Sequence, residues 1–98
     1  MYQETANVEL KRELVEGVKS EIVAFLNTMD GRILIGVDDD GKLYEPFLDA
    51  NQDLIDTKIA NWLQDSIYPL PSRLVKYYFN NEGVLVIDIK EGKDKPYY

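Results

Sequence analysis

The 98-residue sequence predicts a single α+β domain, a mixed β-sheet with two main helices against it, in the order β-α-β-β-α-β-β. Three observations lead to this class. Two segments place apolar residues three and four positions apart, the spacing of one helical stripe. Shorter runs rich in β-branched and aromatic residues lie between clusters of Gly, Pro, Asn and Asp. At 45% hydrophobic residues, 98 positions suffice for one small core and leave no room for a second domain.

The first strand is read at Ala6 to Lys11, where Ala6, Val8 and Leu10 alternate with polar neighbours. Val15, Val18, Ile22, Phe25, Leu26 and Met29 then form a stripe that requires burial. That helix stops between Thr28 and Gly31, because Asn27, Thr28 and Asp30 are poor helix formers and glycine tolerates the left-handed conformation past a helix end. Ile33, Leu34, Ile35 and Val37 follow as a nearly continuous apolar run, the mark of a strand central in its sheet. Asp40-Gly41 suits a two-residue hairpin turn with positive φ at both positions, so Lys42 to Tyr44 is predicted to pair back as a short strand ended by Pro46.

The second helix is read from Asn51 to Ile67, with Leu54, Ile55, Ile59, Trp62, Leu63 and Ile67 at helical spacing. Asn51 is its cap, Asp53 favours the positive end of its dipole, and Trp62 belongs to the core. Pro69 and Pro71 prevent continuation. Leu74 to Phe79 and Val84 to Ile89 read as two strands joined through Asn80 to Gly83. Adjacent Tyr77 and Tyr78 must then face opposite sides of the sheet. The closing Lys95-Pro96-Tyr97-Tyr98 resembles the start of another strand, so the chain reads as a domain from a longer protein.

Composition removes several functions. Without cysteine or histidine there is no disulfide framework, no thiolate or imidazole metal site and no Ser-His or Cys-His pair. Gly31 and Gly36 bracket a strand instead of opening a helix, and no Gly-Lys-Ser/Thr occurs, so phosphate-loop motifs are absent. Asp38-Asp39-Asp40-Gly41 fails as an EF-hand, because the register places Gly36 first and Phe47 twelfth. No apolar run reaches the roughly 20 residues of a membrane helix and no signal peptide opens the sequence, so the expected setting is cytoplasmic, away from membranes.

A net charge of −7 gives no general attraction to a phosphate backbone. The charge is uneven, however. Met1 to Ser72 holds six basic and fourteen acidic residues, whereas Arg73 to Tyr98 holds five basic and four acidic. A nucleic-acid surface would therefore draw on Arg73, Lys76, Lys90, Lys93 and Lys95, interleaved with Tyr77, Tyr78, Tyr97 and Tyr98 for stacking. Arg12 and Lys19 are possible extensions of that surface. A solvated sheet edge with core tyrosines would show the same pattern.

Val8-Glu9-Leu10-Lys11, Ile22 to Thr28, Gly31 through Leu34-Ile35-Gly36-Val37-Asp38-Asp39-Asp40-Gly41, and Lys95-Pro96-Tyr97-Tyr98 occur in an order that resembles the Schlafen/AlbA-type DNA-binding domain, formerly described as a divergent AAA domain. The resemblance spans nearly the whole chain. Asp30-Gly31 stands where the family usually has a Gly pair, and Leu43 to Glu45 holds no counterpart of a further family glycine.

The resemblance implies the N-terminal, nucleic-acid-binding domain of a bacterial transcriptional regulator, DNA ahead of RNA as ligand, followed by a winged-helix or ATPase-like module. No cofactor is expected for that function. It also implies an alternative, a metal-dependent endoribonuclease in which Glu4, Glu9 and Asp38 hold Mg²⁺ or Mn²⁺ to activate water, with Lys11 holding a phosphate. Read without the family, Glu4 is a solvated charge near the chain start, Glu9 a polar strand residue and Asp38 the opening of an acidic turn. A third reading is an assembly domain, a homo-oligomer formed by pairing of exposed sheet edges.

Overall fold

A computed structural model describes residues 2–98. The first strand, β1, spans Val8–Lys11, and helix α1 spans Glu16–Thr28. Strand β2 covers Gly31–Ile35, followed by a one-turn helix α2 at Glu45–Leu48 and helix α3 at Gln52–Asn61. A π-helical turn, Trp62–Ser66, extends α3. Strands β3, Val75–Phe79, and β4, Leu85–Ile89, complete a four-stranded mixed sheet in the order β1-β2-β4-β3. Only β1 and β2 run parallel, with α1 as their crossover. The fold is α+β, as the sequence predicts.

The sheet divides the core. Ile33, Ile35, Leu85, Ile87 and Ile89 pack under Val18, Ile22, Phe25, Leu26, Ile59 and Trp62 from the helices. On the opposite face Leu10, Leu34, Val37, Val84 and Val86 form a second cluster, against which Tyr2, Val8 and Leu48 pack. Central β2 is therefore buried on both sides, which is why its sequence is apolar without alternation.

Several local expectations change. Ala6 is exposed and lies before β1. Val15 is exposed and Leu14 buried, because the chain enters α1 extended at Val15 (φ −113°, ψ 169°), where successive side chains face opposite ways. Met29 is also largely exposed, since it leaves the helix with φ −166°. Gly31 does not adopt a left-handed conformation; a side chain there would lie 2.2 Å from the Phe25 ring, so glycine is required for packing. Leu54 is exposed on the outer side of α3, whereas Ile59, Trp62, Leu63 and Ile67 are buried. Asn51 caps α3 as expected, its side chain accepting from the Asp53 and Leu54 amides.

The segment Lys42 to Tyr44 forms no strand. Val37 and Leu43 make one isolated bridge, and Tyr44 then caps α2, with Pro46 in its first turn. Among the described residues none other than glycine has positive φ, so the turn at Asp38–Gly41 is a three-residue loop with Gly41 alone left-handed (φ +82°). The C-terminal residues form no strand of their own. Tyr97 is buried, with its ring against Gly92 and its backbone held by both polar atoms of Asn27, while Tyr98 and Tyr68 exchange both backbone hydrogen bonds.

Candidate functional site

The strand register aligns Val8, Arg32, Asp88 and Lys76 in one row across all four strands. Ile33 and Ile87, one position away, belong to the helix-side core, so this row lies on the face away from the helices. Beside it the next row, Leu10, Leu34, Val86 and Tyr78, is buried except for Tyr78, which is 49% exposed.

A groove of about 600 Å³ opens at the polar row and is lined by Arg32, Arg73, Lys76 and Lys90 together with Asp30 and Asp88. Four cations thus outnumber two carboxylates within a strongly acidic chain. Arg32 grips Asp88 in a bidentate pair, Nε to Oδ1 at 2.6 Å and Nη2 to Oδ2 at 3.2 Å. That hydrogen bonding raises the Arg32 pKa. Lys90 stands 3.9 Å from Asp30, whereas Arg73 and Lys76 make no ion pair among the described residues. The arrangement can present two free cations and one exposed ring to an anionic, partly unstacked polymer.

The other basic candidates lie elsewhere. Lys11 projects on the helix side of β1 and pairs with Glu21 of α1 at 3.6 Å. Lys93 and Lys95 sit in the segment after β4 and do not line the groove; Lys95 pairs with Glu91. Lys19 pairs with Glu16, and Arg12 lies over the Tyr44 ring at 5.7 Å. Tyr97 is core and has no free face for stacking. Arg32 escaped the sequence reading, which began the strand at Ile33. The available signal was its two-residue spacing from Leu34, which puts a charge on a face whose neighbours are apolar.

Among the carboxylates, the structure brings Glu4 and Glu9 together and leaves Asp38 in its own turn. Glu4 Oε2 accepts the Leu10 amide at 3.3 Å. Glu9 has a raised pKa, first from burial, then from its hydrogen bond to Glu4 and the charges of Glu21 and Glu4, with Lys11 acting in the other direction. Asp38 Oδ1 accepts the amides of Asp40 at 2.9 Å and Lys42 at 3.0 Å. Among the described residues no three acidic side chains are grouped to hold a metal ion. As placed, Glu4, Glu9 and Asp38 do not fit the Mg²⁺ or Mn²⁺ site that the resemblance implies.

No helix among the described residues is long and apolar enough to cross a membrane. The search of curated proteins returned no match. A family model described as Schlafen, AlbA_2 matches residues 4–98, from the carboxylate that caps β1 to the tyrosine that pairs with Tyr68. With nearly its full length matched in this way, the chain belongs to the Schlafen AlbA_2 family.

Proposed function

We propose that this domain binds nucleic acid, DNA ahead of RNA, as the DNA-binding part of a bacterial transcriptional regulator. The observation that carries the reading is the convergence of Arg32, Arg73, Lys76 and Lys90 on one groove of a chain whose net charge is −7. Cations so scarce gain a local field only by clustering. Arg73 and Lys76 contact phosphates, Arg32 is held in place by Asp88, and Tyr78 supplies a stacking surface on the same face.

The test is fluorescence anisotropy with labelled duplex and single-stranded oligonucleotides over a salt series. Arg73→Glu and Lys76→Glu each weaken binding by about tenfold or more and lower the salt slope by about one, as expected for a lost phosphate contact. Lys93→Glu, outside the groove, changes it little. Absence of binding at low salt, or equal loss in Lys93→Glu and Lys76→Glu, would overturn the proposal.

A further inference from the structure

The two edges of the sheet differ in how their backbone groups are satisfied. In β1, the Arg32 and Gly36 amides bond to Asn7 and Lys11, so the N–H and C=O groups of Val8 and Leu10 point outward. Both residues are engaged by the chain itself. Thr5 and Val8 exchange backbone hydrogen bonds at 3.0 and 3.3 Å, and the Leu10 amide donates to Glu4. But for the Leu10 carbonyl, the β1 edge is closed.

The β3 edge is not. Asn80 donates to Val84 and Lys90 donates to Leu74, so in the β3–β4 ladder the even-numbered residues of β3 face β4 and Val75, Tyr77 and Phe79 face outward. The Val75 amide turns back to Pro71. Among the described residues, the amides and carbonyls of Tyr77 and Phe79 have no hydrogen-bond partner beyond the strand. Of the devices that commonly blunt an edge, proline, bulges and charged side chains, β3 carries only Lys76.

We propose that β3 pairs antiparallel with β3 of a second copy of this chain, about a two-fold axis through Tyr77, giving a continuous eight-stranded sheet. The strand is self-complementary in that register. Tyr77 faces Tyr77 of the other copy, Val75 faces Phe79, and Lys76 faces Tyr78. The Tyr77 pair uses both outward amides and carbonyls, and each Val75–Phe79 pair makes one bond, from the Phe79 amide to the Val75 carbonyl, because the Val75 amide stays on Pro71; the Lys76–Tyr78 pair falls between hydrogen bonds, where side chains approach closest. Lys76 and Tyr78 share the face opposite the helices, so a cation meets a ring, and the apolar pair lies on the core side. Both grooves then open on one face of the joined sheet, with the two Lys76 side chains near the axis.

Size-exclusion chromatography with light scattering on the full chain tests this. The chain is expected to run as a dimer. Tyr78→Lys sets like charges opposite each other twice across the axis and weakens dimerisation on the order of tenfold. Tyr78→Glu replaces the contact with an ion pair and keeps the dimer. Register is tested separately in this cysteine-free protein: mixing Lys76→Cys with Tyr78→Cys under oxidation gives a disulfide-linked heterodimer in excess of either homodimer. A monomer at every concentration, a dimer indifferent to Tyr78→Lys, or no heterodimer excess would overturn the proposal. Each variant is read only with its circular dichroism matching that of the parent.

Discussion

Two turns at one end of the sheet are built bond for bond alike, yet one closes a long hairpin and the other leads into a helix. In the first, Asp38 exchanges with Lys42 and Gly41: the Asp38 amide donates to the Lys42 carbonyl at 2.8 Å and the Gly41 amide to the Asp38 carbonyl at 3.0 Å. In the second, the Asn80 amide donates to Val84 at 2.9 Å and Gly83 donates to Asn80 at 3.0 Å. Each Asx oxygen accepts two further amides, those two and four residues ahead, at 2.9 and 3.0 Å. Each closing glycine is left-handed, with φ of +82° and +86°. Tyr2 spans both, its amide donating to the Gly41 carbonyl while its hydroxyl donates to Glu82 and accepts from Asn80.

What differs lies outside the turns. Before Asn80 the chain is regular strand and pairs over five positions, Phe79 with Leu85 back to Val75 with Ile89. Before Asp38 stands Gly36 at φ +105°, outside the β region, which ends β2 at Ile35; beyond Leu43 the helix start with Pro46 takes over the return. Identical turn chemistry thus does not decide whether its flanks pair. The twin also clarifies Asp38. A neutral carboxamide at Asn80 performs the same backbone task, so the Asp38 position is explained by turn geometry without reference to charge.

The comparison is broken most severely at Gly36. A methyl group there would lie 2.7 Å from Phe47 Cδ2 and force an L-residue to φ +105°, so Gly36→Ala is expected to lose about 2–4 kcal/mol in urea unfolding. A loss under about 1 kcal/mol would show that the bend is not imposed by this glycine.

Next come the Asx residues. Asp38→Ala orphans two exposed amides, and Asn80→Ala one exposed amide and the part-buried amide of Val84, an expected cost of about 1–2 kcal/mol apiece, whereas Asp38→Asn changes stability by less than about 0.5 kcal/mol. Equal losses in Asp38→Asn and Asp38→Ala would assign the charge itself a role and end the equivalence of the turns.

The smallest effect concerns the bridge between them. Burial, followed by the hydrogen bond to Glu82, raises the Tyr2 pKa above its ordinary value of 10.0. The folded state therefore favours the neutral phenol. Its contribution is fully present below pH 10.0 and is lost as pH rises through the folded value. Denaturation midpoints of the chain and of Tyr2→Phe should differ at neutral pH and converge under alkaline conditions. A difference that grows with pH would contradict this placement of the proton.

Local chemistry was the legible part of the molecule. The stripe from Val18 to Leu26, the Asn51 cap, the buried run at Ile33 to Ile35 and the breaks at Pro69 and Pro71 each depend on residues within a few positions, and each occurs where expected. The departures at Val15 and Leu43 arise where one local tendency displaces another, the extended entry to α1 and the helix that starts after Tyr44, whereas Tyr97 is held by a distant partner, Asn27, across 70 positions.

The candidate site is legible to a lesser degree for the same reason. Arg73, Lys76 and Lys90 could be named from charge distribution, but their union with Arg32 required the strand order β1-β2-β4-β3. Arg32 and Asp88 are 56 residues apart, and no spacing rule along the chain connects them. The sequence by itself determined the α+β class, its two main helices and the residues that make its turns, because periodicity and turn chemistry are short-range. Only the tertiary structure decided which edge stays open, which carboxylates meet and which cations share a groove, because those follow from strand order and register, set by packing between distant segments.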